Sequence, residues 1–132
     1  MKNLLYLFFA ITLLGCGSDD DNIDQSSCNR GNSVYLADNG VTIKACTNAN
    51  IGDKSTIRGV EYTIVDRAII ANMIRDNEDV SFVCTTRITD MNSMFARRDF
   101  NQDLSSWDVV QVTNYRDFSS TTPSWTLPKP NF

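Results

Sequence analysis

The stretch Ile88-Thr89-Asp90-Met91-Asn92-Ser93-Met94-Phe95 returns 24 positions later as Val112-Thr113-Asn114-Tyr115-Arg116-Asp117-Phe118. Between the copies stands Phe100-Asn101-Gln102-Asp103-Leu104-Ser105-Ser106-Trp107-Asp108-Val109. A period of about 20–29 residues suits a stack in which each unit supplies one short strand and one short helix and buries its apolar side against its neighbours. Leu104, Trp107, Val109 and Val112 are the expected strand and inward side chains. Thr89 or Thr113 caps the short helix, whose Met91, Met94 and Phe95 pack inward. Residues 86–118 are thus expected to hold one full repeat and one partial one.

These units resemble the BspA family of leucine-rich-repeat surface proteins, whose repeats read Phe-Asn-Gln-Asp, Trp-Asp-Val, Val-Thr-Asn-Met and Met-Phe. The match is close at Phe100, Asn101, Gln102 and Asp103, at Trp107, Asp108 and Val109, and at Val112, Thr113 and Asn114. Residues 39–86 also resemble the region that precedes such repeats in flavobacterial members. The resemblance implies an extracellular module without catalysis, with adhesion as its role, and carries over no catalytic residues. The chain departs from the family by having few repeats, by Tyr115 where the motif has Met, and by a Pro-containing tail over 119–132. That tail is either an extended cap pegged by Trp125 and Leu127 or what replaced further repeats. Truncation is the expectation.

Upstream, residues 33–85 read as β-rich. Val34-Tyr35-Leu36 and Val41-Thr42-Ile43 flank Asn39-Gly40, a pair suited to a tight primed hairpin turn. Val60, Tyr62 and Ile64 alternate with Glu61 and Thr63 directly after Arg58-Gly59, the pattern of a half-buried strand. Gly52, Asp53 and Lys54 read as turn chemistry, with no calcium-loop ligand spacing. Asp66 is placed to cap a helix over 66–76, with Val65 and Ile70 as a hydrophobic staple. Ile69, Ile70, Met73 and Ile74 share its apolar face, and Asn77 is the stop. Val80, Phe82 and Val83 resume an extended segment. The expected class is α+β, a small hairpin and strand region with one amphipathic helix, leading into a short leucine-rich-repeat-like solenoid.

The N-terminus carries a different message. Lys2 precedes an apolar run from Leu4 to Leu14, too short for the roughly 20 residues of a membrane-spanning helix and typical of a secretory signal peptide. Leu13-Leu14-Gly15-Cys16 resembles the lipobox of bacterial lipoproteins, which implies a signal peptide over 1–15 and diacylglycerol on Cys16. The membrane is then a partner through lipid, since each buried methylene contributes about 0.8 kcal/mol. Residues 16–32 read as an acidic, flexible tether. Ser18 followed by Asp19, Asp20 and Asp21 resembles the export signal of Bacteroidetes lipoproteins, so the expected location is the outer membrane, at the cell surface. A periplasm-facing structural lipoprotein and a non-functional remnant of a longer repeat protein are the alternatives.

Composition narrows the chemistry. Histidine is absent from all 132 residues, which removes imidazole-based nucleophile activation and His-ligated zinc. Twelve Lys and Arg against sixteen Asp and Glu give a net charge of -4 without a basic cluster, which argues against nucleic acid. Asp99, Asp103 and Asp108 lie close in sequence, but their spacing matches repeat positions that cap turns and face solvent, not a carboxylate pair for hydrolysis. No enzyme activity, metal or cofactor is expected, and the partner beyond the membrane is an unidentified protein or glycan. Cys16 being reserved for lipid, Cys46 and Cys84 form the candidate disulfide, closing a loop of some 38 residues. Cys28 pairs with Cys46 instead or stays free.

Overall fold

The computed structural model describes residues 24–132. The expected signal peptide, Cys16 and the expected tether up to residue 23 lie outside them. The chain folds as α+β with two small sheets and one main helix.

Strands β1 (Val34–Leu36) and β2 (Ile43–Ala45) pair antiparallel, with Val34 opposite Ala45 and Leu36 opposite Ile43. The hairpin is where the apolar runs place it, but its turn is not the tight two-residue one expected. A broader loop joins the strands: Asn39 Oδ1 accepts the N–H groups of Val41 and Thr42 at 3.0 and 2.9 Å. Of the Asn-Gly pair only Gly40 has positive φ, at 71°. The two-residue primed turn occurs instead at Arg58-Gly59, with φ of 49° and 81°. It joins β3 (Lys54–Ile57) to β4 (Val60–Ile64), with Ile57 opposite Val60. Lys54 therefore opens a strand, where turn chemistry was expected. The run Lys54-Ser55-Thr56 leaves only Ile57 buried, as an edge strand allows.

Helix α1 (Arg67–Arg75) leaves β4 and leads back to β5 (Val83–Cys84), which pairs parallel with β4. The Asp66 carboxylate accepts the Ile69 N–H at 2.8 Å, as the capping pattern predicts. Val65 and Ile70 are fully buried and Ile74 nearly so. The helix stops where Asn77 turns left-handed at φ 57°.

Residues 86–118 contain neither the short strand nor the short helix expected. Ser93, Arg97, Asp117 and Thr121 have φ between 52° and 59°, which no right-handed helix admits. These residues recur in pairs 24 apart, and so do the hydrogen bonds around them. Met94 donates to the Met91 carbonyl as Phe118 does to Tyr115, and Ala96 to Ser93 as Ser120 does to Asp117. The spacing reaches further back than the two copies legible in sequence. The Asp79 carboxylate accepts the Ser81 N–H as that of Asp103 accepts the Ser105 N–H, and Asp90 and Asn114 cap equivalent turns and form a parallel bridge.

Segments so spaced lie side by side around one core, in which Phe95 is fully buried. Its ring centroid lies 4.2 Å from Phe100, 5.0 Å from Trp125, 5.2 Å from Phe118 and 5.9 Å from Trp107. The tail has no regular element, yet it is bound: Asn101 Oδ1 accepts the N–H groups of Thr126 and Leu127, and Leu104 donates to the Pro128 carbonyl. Trp125 is a buried peg, whereas Leu127 is 44% exposed.

Two cysteine and tether expectations need correction. Residues 25–30 form a 3-10 helix capped by Asp24, so the tether's end is folded. Cys28 joins Cys46, with Cα atoms 5.7 Å apart, tying this helix to the end of β2. Cys84 is unpaired and fully buried on β5, its thiol turned to the Ile43 carbonyl, so the Cys46–Cys84 bridge does not form.

Candidate functional site

A groove of about 520 Å³ lies between the β1–β2 hairpin and residues 105–110. Its two sides are stitched together by backbone and side chain. Ile43 donates its N–H to the Ser106 carbonyl at 2.8 Å. The Ala45 N–H donates to the Thr86 hydroxyl, which in turn donates to Asp108 Oδ2 at 2.8 Å. Tyr35, Asp38 and Lys44 come from the hairpin side, Trp107 and Asp108 from the other, and Asn131 from the tail.

Asp108 is 3% exposed, so it does not face solvent as its sequence position implied. Val110 donates its N–H to Oδ1 at 3.3 Å, and the Thr85 hydroxyl donates to its main-chain carbonyl. Among the described residues no Lys or Arg forms an ion pair with it. Burying a carboxylate is costly unless hydrogen bonds replace its water, and here neutral donors do so.

The other motif residues serve the scaffold. Met91, Met94, Phe95 and Trp107 are core; Phe100, Val109 and Val112 pack partly buried against it. Gln102 bridges segments by accepting the Val80 N–H and donating to the Glu78 carbonyl. Asp103 caps an exposed turn, and Thr113 and Asn114 carry the contact to Thr89 and Asp90. Asp99, Asp103 and Asp108 do not converge, and among the described residues no group of three or more Cys, Asp or Glu is placed to hold a metal ion. Nor is any helix there long and apolar enough to cross a membrane.

Sequence reasoning missed Tyr35 and Lys44, which come from more than 60 residues upstream of Asp108; only the hairpin's own signal pointed to that region. Arg87 also went unremarked, yet its guanidinium donates to the carbonyls of Cys46, Thr47 and Ala49 and fixes the chain after β2.

The family comparison coincides with the stacked segments. Residues 66–128 match the family described as Mycoplasma protein of unknown function, DUF285. That is just under half of the chain, running from the cap of α1 to the tail residue bonded to Leu104. No curated protein and no solved structure matches.

Burial pushes the Cys84 thiol above its ordinary value of 9.0. The unfolded thiol ionises first as pH rises, so this contribution to stability is complete below about pH 9 and is lost through the higher folded value. In a Cys16→Ala chain with the bridge intact, iodoacetamide at about pH 8 should leave native Cys84 unlabelled and label it once urea unfolds the protein. Fast labelling of the native chain would contradict the burial.

Proposed function

We propose that the protein is a lipid-anchored surface binding module of adhesion type, held at the outer membrane through Cys16 and carrying a glycan in the groove beside Asp108. Residues 66–128 act in this reading as a short leucine-rich-repeat-like solenoid, and the hairpin supplies the second wall. No catalytic step is assigned.

The observation that carries the reading is the groove's make-up. A ring with a polar tip (Tyr35), a cation (Lys44), an amide (Asn131) and a carboxylate (Asp38) line one concavity, with the Asp108 carboxylate buried in its wall. Such a set suits a sugar, whose hydroxyls need paired donors and acceptors and whose C–H face stacks on an aromatic ring. A concave site with polar walls favours a small polar ligand over a flat protein epitope.

Two measurements test this. Labelled palmitate should mark the wild type and not Cys16→Ala, and added protease should reach the protein on intact cells. Loss of surface exposure would favour the periplasm-facing alternative. The chain should retain oligosaccharides on a printed array, with affinity reduced about tenfold or more by Tyr35→Ala or Lys44→Ala. Retention of none, or equal retention by both variants, would overturn the groove's role.

A further inference from the structure

Met91, Ser93, Phe95 and Arg97 donate their N–H groups to the carbonyls of Asn114, Arg116, Phe118 and Ser120, at 2.7 to 3.0 Å. Residues 115–121 repeat the backbone that makes this ladder, with left-handed residues at the same places and the same internal turns. The N–H groups of Tyr115, Asp117, Ser119 and Thr121 therefore stand where the four donors stand one segment earlier. Among the described residues they have no acceptor.

The opposite end is covered over half its length. The carbonyls of Asp90 and Asn92, counterparts of those of Asn114 and Arg116, accept from the Arg67 guanidinium at 2.6 and 3.1 Å. Helix α1 thus replaces the backbone donors of a preceding segment with one side chain. The free end offers donors alone, so two copies meeting there would set donors against donors. Head-to-tail stacking would have to displace Arg67. The occupant must bring carbonyls of its own.

Beside the donor row runs a groove of about 360 Å³. Phe118 lines it, and Tyr115 stacks on Phe132 with ring centroids 4.4 Å apart. Lys129 borders it and donates to the Ser119 hydroxyl at 3.2 Å, while the Arg116 side chain, 85% exposed, pairs loosely with the one acid nearby, Asp117, at 3.6 Å. In a chain of net charge -4 this edge is locally cationic, and outward N–H dipoles add to that.

We propose that this edge binds an extended acidic segment of a partner protein, distinct from the glycan groove. The segment's alternate carbonyls accept from Tyr115, Asp117, Ser119 and Thr121 and continue the ladder, while its side chains lie against Phe118 and meet Arg116 and Lys129. Main-chain bonds then supply affinity, and charge supplies selection.

A displayed library of random peptides of about a dozen residues, panned against the Cys16→Ala chain, tests this. The expected result is enrichment of Asp and Glu, with binding weakened about tenfold or more in the double variant Arg116→Glu, Lys129→Glu. NMR with one selected peptide should shift the amides of Tyr115, Asp117, Ser119 and Thr121 and slow their exchange. The proposal is overturned if no peptide binds, if the shifted amides lie elsewhere, or if the double variant binds equally well. Neither substituted residue lines the hairpin groove, so its oligosaccharide retention reports separately.

Discussion

Phe95→Ala should cost about 3–5 kcal/mol of stability, the range for removing a fully buried aromatic side chain. Domains of this kind are stable by only about 5–15 kcal/mol, so the variant is expected to be near its folding limit at room temperature. Phe95 touches four aromatic rings drawn from different segments of the chain, so the space it leaves is bounded by groups that cannot all close in at once. Phe100, only partly buried, should lose less on the same change. Urea unfolding followed by tryptophan fluorescence reads both, because Trp107 and Trp125 lie against the ring. A loss below about 1 kcal/mol for Phe95→Ala would show that the segments are not packed around it.

Cys46→Ser is the second large effect, at about 3 kcal/mol, because the Cys28–Cys46 bridge closes 18 residues of chain in the unfolded state. Without it the 3-10 helix is held mainly by a few hydrogen bonds, and the end of the tether should become protease-sensitive. Cys28→Ser should cost the same, since either change opens one loop. Non-reducing peptide mapping is the check. A linked peptide holding Cys46 and Cys84 would refute the assignment, and an equal loss from Cys84→Ser would point to the same fault.

What could be read from sequence was local. Asp66, Val65 and Ile70 announce α1 within six residues, and the alternation over Val60, Tyr62 and Ile64 announces β4. Strand β3 could not be read because its partner's hydrogen bonds, not its own apolar pattern, make it a strand. Residue types favour the primed turn at Asn39-Gly40, yet it forms at Arg58-Gly59, where the pairing of β3 with β4 forces Arg58 into a left-handed conformation. Burial at Met91, Met94 and Phe95 followed from the repeat, but their conformation did not, since nothing in the letters marks Ser93 and Arg97 as left-handed.

The same limit hid the extent of the 24-residue spacing. Its first segment folds as a helix, so Asp66 and Asp79 align with Asp90 and Asp103 in space without an obvious shared motif between them. The groove was illegible for a different reason: Tyr35 and Lys44 reach Asp108 through the Ile43 and Ala45 bonds across the sheet edge, a long-range contact no spacing rule encodes. The edge at residues 115–121 has no mark in its letters, because its free donors are backbone N–H groups.

Amide hydrogen exchange on the free Cys16→Ala chain tests the stacked arrangement most directly. The N–H groups of Met91, Ser93, Phe95 and Arg97 should be protected, and those of Tyr115, Asp117, Ser119 and Thr121, each 24 residues further on, should exchange close to the open-chain rate. Equal rates in the two sets, or fast exchange at residues 91–97, would contradict the ladder on which both the fold and the proposed edge rest.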